Sequence, residues 1–431
     1  MSIALRGAAW STLGYGGTQG FRVVATLVLA RHFLGPEPFG VVGLVGVFLA
    51  GLAMFSELGL VANVVQHARG DEPRFLNTAF TIQAVRGVLI WIVAAGAAYP
   101  LSVFYKQPAL FALLMVAAIS EVIRGLVSTG IFTFTRHVNL RALTLLTIAS
   151  EAVGVVVAIV WAYASPSAWA LVARTVAAAI VYSAGSHLIA KQRVRFEWDR
   201  AAARDILHFG GWISLATATY FLGGQGERLI LGKFITAAEL GCFSLALMVS
   251  SVPAAGINQL VGQIFLPVLS KSVRTNQSTT RRDFLRARKL FCGVALITAV
   301  GFLICGKPFV NLVLPEKYEM AGWMLQLLGL RVALDIFAAP ASTLVMAYGK
   351  TQYSASANTL RLILMVAGIW LAFGYLGLRP AIIALVVAQV VSYIPLIAGI
   401  RRLLPEAGGA ELRWYVGFLA VVLAVALTAV P

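Results

Sequence analysis

Acidic side chains are scarce in this chain. Its 17 Asp and Glu stand against 34 Lys and Arg over 431 residues, and charged residues together make up only 12%. A soluble domain carries about a quarter charged and about half apolar residues, whereas here 60% are hydrophobic and the mean hydropathy is +0.87. That combination defines an integral membrane protein. Cysteine is just as thin. Cys242, Cys292 and Cys305 fall in apolar runs without CxxC spacing and the five histidines are scattered, which supports neither a disulfide framework nor a zinc site. The stretch GYGGTQG (14–20) lacks the GK[ST] of a phosphate loop and lies inside an apolar run. It reads as close helix packing, and neither an ATP site nor any cofactor is expected. The start MSIALRGAAW has no short apolar core with a small-residue cleavage site, so the first long apolar segment is expected to remain as an anchor.

What the sequence has in quantity is long apolar runs. A spanning helix needs about 20 mainly apolar residues, and such runs occur near 8–30, 39–64, 75–100, 108–131, 142–164 and 167–190, then near 208–232, 240–266, 289–313, 321–347, 355–378 and 380–400. The expected fold is an all-α integral membrane protein of two six-helix lobes, with 414–431 as a possible thirteenth helix. The expected division is 1–190 for the N-terminal lobe, 191–206 for a basic cytoplasmic linker, 207–400 for the C-terminal lobe and 401–431 for the extra segment.

Lys and Arg collect in cytoplasmic loops. With the N-terminus inside, 21 of them fall on the cytoplasmic side, and only Arg31, Lys106, Lys233, Lys307, Lys317 and Arg379 outside. The orientation accounts for much of the net charge of +17 without any nucleic acid. Residues 191–206 and 271–289 space apolar residues among arginines (Phe196, Trp198, Ile206; Phe284, Leu285, Leu290, Phe291), which predicts interfacial helices on anionic lipid.

The two blocks repeat. GAAW (7–10) aligns with FGGW (209–212) and FLGPEPFGVVGL (33–44) with FITAAELGCFSL (234–245), matching Phe33 to Phe234 and Gly40 to Gly241. An even number of helices per block makes this a parallel repeat about the membrane normal, with lobes around a central cavity. LVLARHFLGPEPFG (27–40), FSELGLVANVVQ (55–66), GERLILGKFITAAELGCFSLA (226–246) and VPAAGINQLVGQIFLPVLS (252–270) resemble the polysaccharide exporters of the multidrug/oligosaccharidyl-lipid/polysaccharide (MOP) superfamily, most closely the Wzx-type flippases of lipid-linked oligosaccharides. The resemblance implies lobes that open alternately to either side and cavity arginines that serve a lipid pyrophosphate. The chain departs from that family in having Glu227 where Asp is frequent, and in a thirteenth run where relatives usually have twelve or fourteen helices.

Charges inside a bilayer cost about 2.5–3.5 kcal/mol each even on the mildest scale, so they face a cavity or pair. The runs contain seven cations, all arginine (Arg22, Arg86, Arg124, Arg174, Arg228, Arg331, Arg361), and five acids (Glu57, Glu121, Glu151, Glu227, Asp335). Arginine suits bidentate capture of phosphate oxygens. Glu121 and Arg124, and Arg331 and Asp335, sit at spacings that share a helix face. Glu227 and Arg228 point about 100° apart and cannot neutralise each other. Counting rises from the cytoplasmic ends puts Arg22 about 21 Å deep, Arg174, Glu227 and Arg331 about 24 Å and Arg86 about 16 Å. Arg124 and Arg361 are expected to snorkel. Glu227 is therefore expected to pair with Arg22 or Arg331, with Gly223, Gly224 and Gly226 admitting a neighbouring backbone or a head group; a purely structural bridge is the alternative.

Arg22, Arg86, Arg174, Arg228 and Arg331 are the candidate pyrophosphate ligands, and Glu227, Glu121, Glu151 and Asp335 the candidate ion-pair or coupling acids. Tyr15, Gln19, Gln83, Tyr220, Gln225, Asn258 and Gln259 are candidate sugar contacts. Pro253, Pro340 and Pro395 are expected to kink their helices. The expected function is flipping of undecaprenyl-pyrophosphate-linked oligosaccharide across the bacterial inner membrane for surface polysaccharide, without covalent chemistry. The expected partners are that substrate, membrane lipids, and a polymerase with chain-length machinery. A small-molecule exporter of the same superfamily is the alternative. A membrane-embedded polymerase or glycosyltransferase is a minor one, because no sizeable external loop or metal-binding acidic motif is present. Reporter fusions after Lys191 and after Arg274 are expected to report a cytoplasmic location, and those near Glu316 and after Pro431 a periplasmic one. A periplasmic signal at the central linker overturns the two-block organisation.

Overall fold

The computed structural model describes residues 3–429 apart from 138, 191 and 376, and side chains other than those of 3–15, 209–220, 222–224, 263, 374–375 and 428–429. Tyr15, Tyr220 and the surroundings of Gly223 and Gly224 lie outside the described residues. Within them there is no β-strand, and every apolar run is helical. The helices are α1 (Ile3–His32), α2 (Pro36–Gln66, interrupted at 56–59), α3 (Pro73–Phe104), α4 (Ala109–Gly125), α5 (Leu140–Ala164), α6 (Trp169–Ile189), α7 (Arg200–Phe234), α8 (Ala237–Leu260), α9 (Gln277–Val313), α10 (Glu319–Ala347), α11 (Gln352–Tyr375), α12 (Leu378–Leu403, interrupted at 392–393) and α13 (Pro405–Ala429). Ten helices among the described residues are long and apolar enough to cross a membrane. An eleventh is formed if α4 and Thr129–Arg136, bent by 63°, make one span.

Helix starts follow the local chemistry. Pro36 and Pro73 open α2 and α3, where a missing N–H costs nothing and φ is already helical. Asp199 caps α7 by accepting from the amides of Ala201 and Ala202, and Asn276 caps α9 through Ser278 N, satisfying donors that have no partner in the first turn. Proline plays two roles. Pro253 and Pro340 lie inside α8 and α10, and α8 passes into a π-helical stretch at Val261–Phe265. Pro395 instead starts the second half of α12, so it marks a restart where a kink was expected.

The chain divides into two compact units, Met1–Gly241 and Cys242–Pro431. In the first, α3 crosses α4 at Gly87, where a Cβ would come within 2.5 Å of the Glu121 carbonyl oxygen. Close backbone approach of this kind is how helices associate in lipid, where hydrophobicity does not drive them together. The break after α4 leaves carbonyls without helical partners. Gln83 Nε2 donates to three of them, those of Arg124, Gly125 and Val127, at 3.2, 3.2 and 3.0 Å. Gln83, expected as a sugar contact, is thus engaged in closing a helix end.

Residues 193–199 are neither helix nor strand, where an interfacial helix was expected. The start of α3 presents Asn77, Thr78 and Thr81, and the strap pairs with them. Asn77 Oδ1 accepts from Arg195 N at 3.0 Å and its Nδ2 donates to Glu197 Oε2 at 2.7 Å, while Thr81 and Thr78 accept from the amides of Glu197 and Asp199, each at 3.0 Å. These side chains offer the strap a ladder that helix cannot match, which is why a pattern of helical spacing does not become helix here. Arg69 reaches Asp199 at 3.2 Å and, with the two capping amides, holds its carboxyl below the usual range. The contact is therefore complete above the ordinary carboxylate pKa and is lost only as pH falls through the depressed value. The other predicted interfacial segment is helical, as Leu266–Thr275 and the start of α9.

The second unit packs α9 against α10 and closes with α12 and α13 around Phe337, Tyr393, Tyr415 and Phe418. α13 is an integral part of this core, as Tyr415, Phe418 and Val422 are all buried.

The internal repeat meets itself. A Cβ added to Gly40 would overlap the carbonyl oxygen of Ala237, and one added to Gly241 would overlap that of Pro36. Pro36 and Ala237 hold the same relation as Gly40 and Gly241, an offset of 201 in each case. The obstructing atoms are backbone on both sides, so no rotamer change relieves the overlap. Gly241→Val is expected to lower membrane abundance and the melting temperature in detergent. Gly46→Ala, in open space on α2, should leave both unchanged, and equal behaviour of the two variants would show that the contact is dispensable.

Candidate functional site

Six of the twelve intramembrane charges pair with a charge on another span. Arg174 of α6 contacts Glu151 of α5 at 3.0 Å, and its Nη1 lies 3.5 Å from the Thr26 hydroxyl of α1. That hydroxyl donates to the Arg22 carbonyl at 2.7 Å. Arg22 itself is exposed and forms no ion pair among the described residues. Two guanidinium groups and one carboxylate are thus presented by three helices of one unit. The Arg174–Thr26 contact is at the outer limit of a hydrogen bond and is the weakest of the set.

Arg86 is committed differently. It donates to the Ala53 carbonyl at 2.6 Å and to Ser56 Oγ at 3.1 Å, and pairs with Glu57 at 3.3 Å. Glu57 also accepts from Gly59 N at 2.9 Å, where φ of 57° is open to glycine without strain. Arg86 therefore caps the first segment of α2, placing a cation on free carbonyls at the negative end of the helix dipole.

Glu121 and Arg124 pair within α4 at 3.7 Å as their spacing predicts. Asp335 ion-pairs with Arg361 at 3.6 Å and accepts from Gln389 Nε2 at 2.7 Å. Arg361 is thus held by a carboxylate on α10 and an amide on α12. Arg331 is half-buried on α10, one turn from Asp335. Glu227 is 2% exposed and Arg228 half-buried on α7, so the acid next to the arginine is drawn fully into the protein.

One site escaped the sequence reading altogether. Arg288 is completely buried in the second unit. Its Nε donates to Glu411 at 2.8 Å, Nη2 to the Tyr393 hydroxyl at 2.8 Å and Nη1 to the Phe337 carbonyl at 2.5 Å, with the Phe337 ring centroid 4.5 Å from the guanidinium. Tyr393 in turn donates to Glu411. Arg288 falls within the basic segment 271–289, whose cations count as cytoplasmic by the charge bias, and Glu411 lies before the run at 414. The available signal was helical spacing: Thr280, Phe284, Arg288, Phe291, Cys292 and Ala295 form one buried face of α9.

Among the described residues the chain is thus an all-α, multi-pass membrane protein with a repeated motif and arginines held between its helices. The chain belongs to the polysaccharide biosynthesis protein family, whose model matches residues 28–322. It is 22% identical over 302 residues to the teichuronic acid biosynthesis protein TuaB of Bacillus subtilis, covering 68% of this chain and 61% of that protein. It is also 22% identical over 277 residues to the succinoglycan biosynthesis transport protein ExoT of Rhizobium meliloti, covering 63% and 55%. The chain thus spans somewhat over half the length of these two relatives. Its fold is similar to that of the lipid II flippase MurJ in an inward closed conformation (TM-score 0.69, 12% identity, 98% of this chain and 93% of that one). It is likewise similar to an inward-facing multidrug resistance MATE family transporter (TM-score 0.67, 14% identity, 97% and 96%).

Removing one member of a buried pair strands the other charge, at a cost of about 3–5 kcal/mol, whereas replacing both by apolar groups can be neutral. Glu411→Ala is expected to destabilise the protein strongly in a thermal melt in detergent, and Arg288→Met combined with Glu411→Leu to recover most of the loss. A double variant as unstable as the sum of the two singles would show no coupling.

Proposed function

We propose that the protein is a flippase that carries an undecaprenyl-pyrophosphate-linked oligosaccharide across the bacterial inner membrane by alternating access, for surface polysaccharide assembly. The supporting observation is the Arg22–Thr26–Arg174–Glu151 group, two arginines to one acid on three packed helices. Glu151 fixes one edge of the Arg174 guanidinium. The other edge has only the long Thr26 contact, which a phosphate oxygen can replace with a charge-assisted bond of about 1.5–3 kcal/mol. Arg22 supplies the second charge needed for a pyrophosphate. A cation exporter would instead place surplus carboxylates there.

Nothing in this task requires bond making, so the protein acts by binding, orienting and releasing its substrate. The excess of Lys and Arg on one set of helix ends supports an N-terminus in the cytoplasm. A polymerase and its chain-length machinery are the expected consumers of the flipped product. Glu121, Glu151 and Asp335 all sit in ion pairs, and as such they tune the arginines more directly than they carry coupling ions.

The test is flipping of a pyrophosphate-linked oligosaccharide in proteoliposomes. Arg174→Ala and Arg22→Ala should each reduce the rate at least about tenfold, the loss of one charge-assisted contact, with reconstitution unimpaired. Arg174→Lys should restore part of it, since a point charge replaces the fork. Wild-type rates in both alanine variants would refute the pyrophosphate site.

A further inference from the structure

The second unit has a cleft of about 470 Å³ between α9 and α13, lined by Cys292, Leu296, Arg413, Trp414, Gly417 and Val421, among others. On α13 the lining positions recur every three or four residues, so the cleft follows one helix face lengthwise for about 16 Å at 1.5 Å per residue. Its polarity is graded along that length. Arg413 stands at one end, exposed and forming no ion pair among the described residues. Beyond Trp414 the walls are apolar. Midway, a Cβ added to Gly417 would meet nothing within 4 Å, so the absence of a side chain there is what leaves the groove open.

The buried Arg288–Glu411 pair fixes this arrangement. Cys292 lies one turn beyond Arg288 on α9 and Ala410 next to Glu411 on α13, so the pair joins the two helices beside the lining residues at the charged end. Because Glu411 is consumed by Arg288, it is unavailable to Arg413 two residues on. The same end of α9 exposes Arg286 and Lys289. A tryptophan beside a cation at one end of a membrane helix is the pattern of a residue pair at head-group level.

We propose that this cleft binds one anionic phospholipid of the surrounding leaflet, its phosphate on Arg413 and one acyl chain along Trp414, Gly417 and Val421. An amphiphile with a single negative head is the ligand whose polarity matches the cleft end for end. A zwitterionic lipid brings its own cation to a site already basic. A packed helix from another copy would fill the apolar length but leave Arg413 without a counter-charge. The cleft belongs to the second unit, whereas Arg22, Arg174 and Glu151 belong to the first.

The experiment is native mass spectrometry of the full chain released from nanodiscs of equal phosphatidylglycerol and phosphatidylcholine. Wild type should retain one phosphatidylglycerol in about tenfold preference, as a single charge-assisted contact implies. Arg413→Gln should retain a lipid with the preference gone. Gly417→Trp should lose the retained lipid with the melting temperature unchanged. Equal retention of the two lipids by wild type overturns the proposal, as does a dimer that Gly417→Trp dissolves. If Gly417→Trp fails to fold, the lipid ratio in Arg413→Gln decides alone.

Discussion

In hydrocarbon a polar group without a partner cannot fall back on water, and this constraint organises the molecule at each point where a helix stops or a charge enters. Where α2 breaks at 56–59, Arg86 and Glu57 take up the exposed backbone. Where α4 ends, one glutamine, Gln83, closes three carbonyls. In the second unit Arg288 distributes its donors over Glu411, Tyr393 and Phe337. At the two helix breaks a side chain from a neighbouring helix receives the irregular backbone, and such contacts tie the helices together.

The elements were legible because membrane helices are written in composition: a run of about 20 apolar residues has few other readings. The thirteenth run, uncertain by count, is a helix whose Phe418 and Val422 enter the core. Partnerships were less legible. Glu121 and Arg124 could be paired from their spacing, but Arg174 finds Glu151 across 23 residues and Arg288 finds Glu411 across 123. No local rule links such positions. At 271–289 the helical spacing is legible and gives a helix, but it reads as an interfacial one, whereas Arg288 lies with Phe284, Phe291 and Cys292 on a buried face of α9. The strap at 193–199 shows the opposite error, helical spacing overruled by hydroxyl and amide groups waiting on α3.

The intramembrane arginines are not equivalent, although composition alone would rank them together. Arg86 is absorbed by a helix end and Arg361 by Asp335 and Gln389. Arg174 is anchored on one side only, beside the exposed Arg22. Solving the same desolvation problem with different numbers of partners separates charges that build the protein from charges with capacity to spare. Family membership and fold alone could not make that distinction, since neither fixes which guanidinium is saturated.

The reciprocal contact of Gly40 with Ala237 and Gly241 with Pro36 also bears on the history of the chain. After a duplication, the two copies of a segment are ordinarily free to drift apart, each answering to its own surroundings. Here each copy supplies the wall against which the other is fitted. A side chain gained in one half is refused by the backbone of the other, and no compensating substitution is available because a carbonyl cannot be mutated away. Divergence elsewhere in the halves leaves these two positions as a fixed point, the place where the ancestral symmetry persists because it has become a contact.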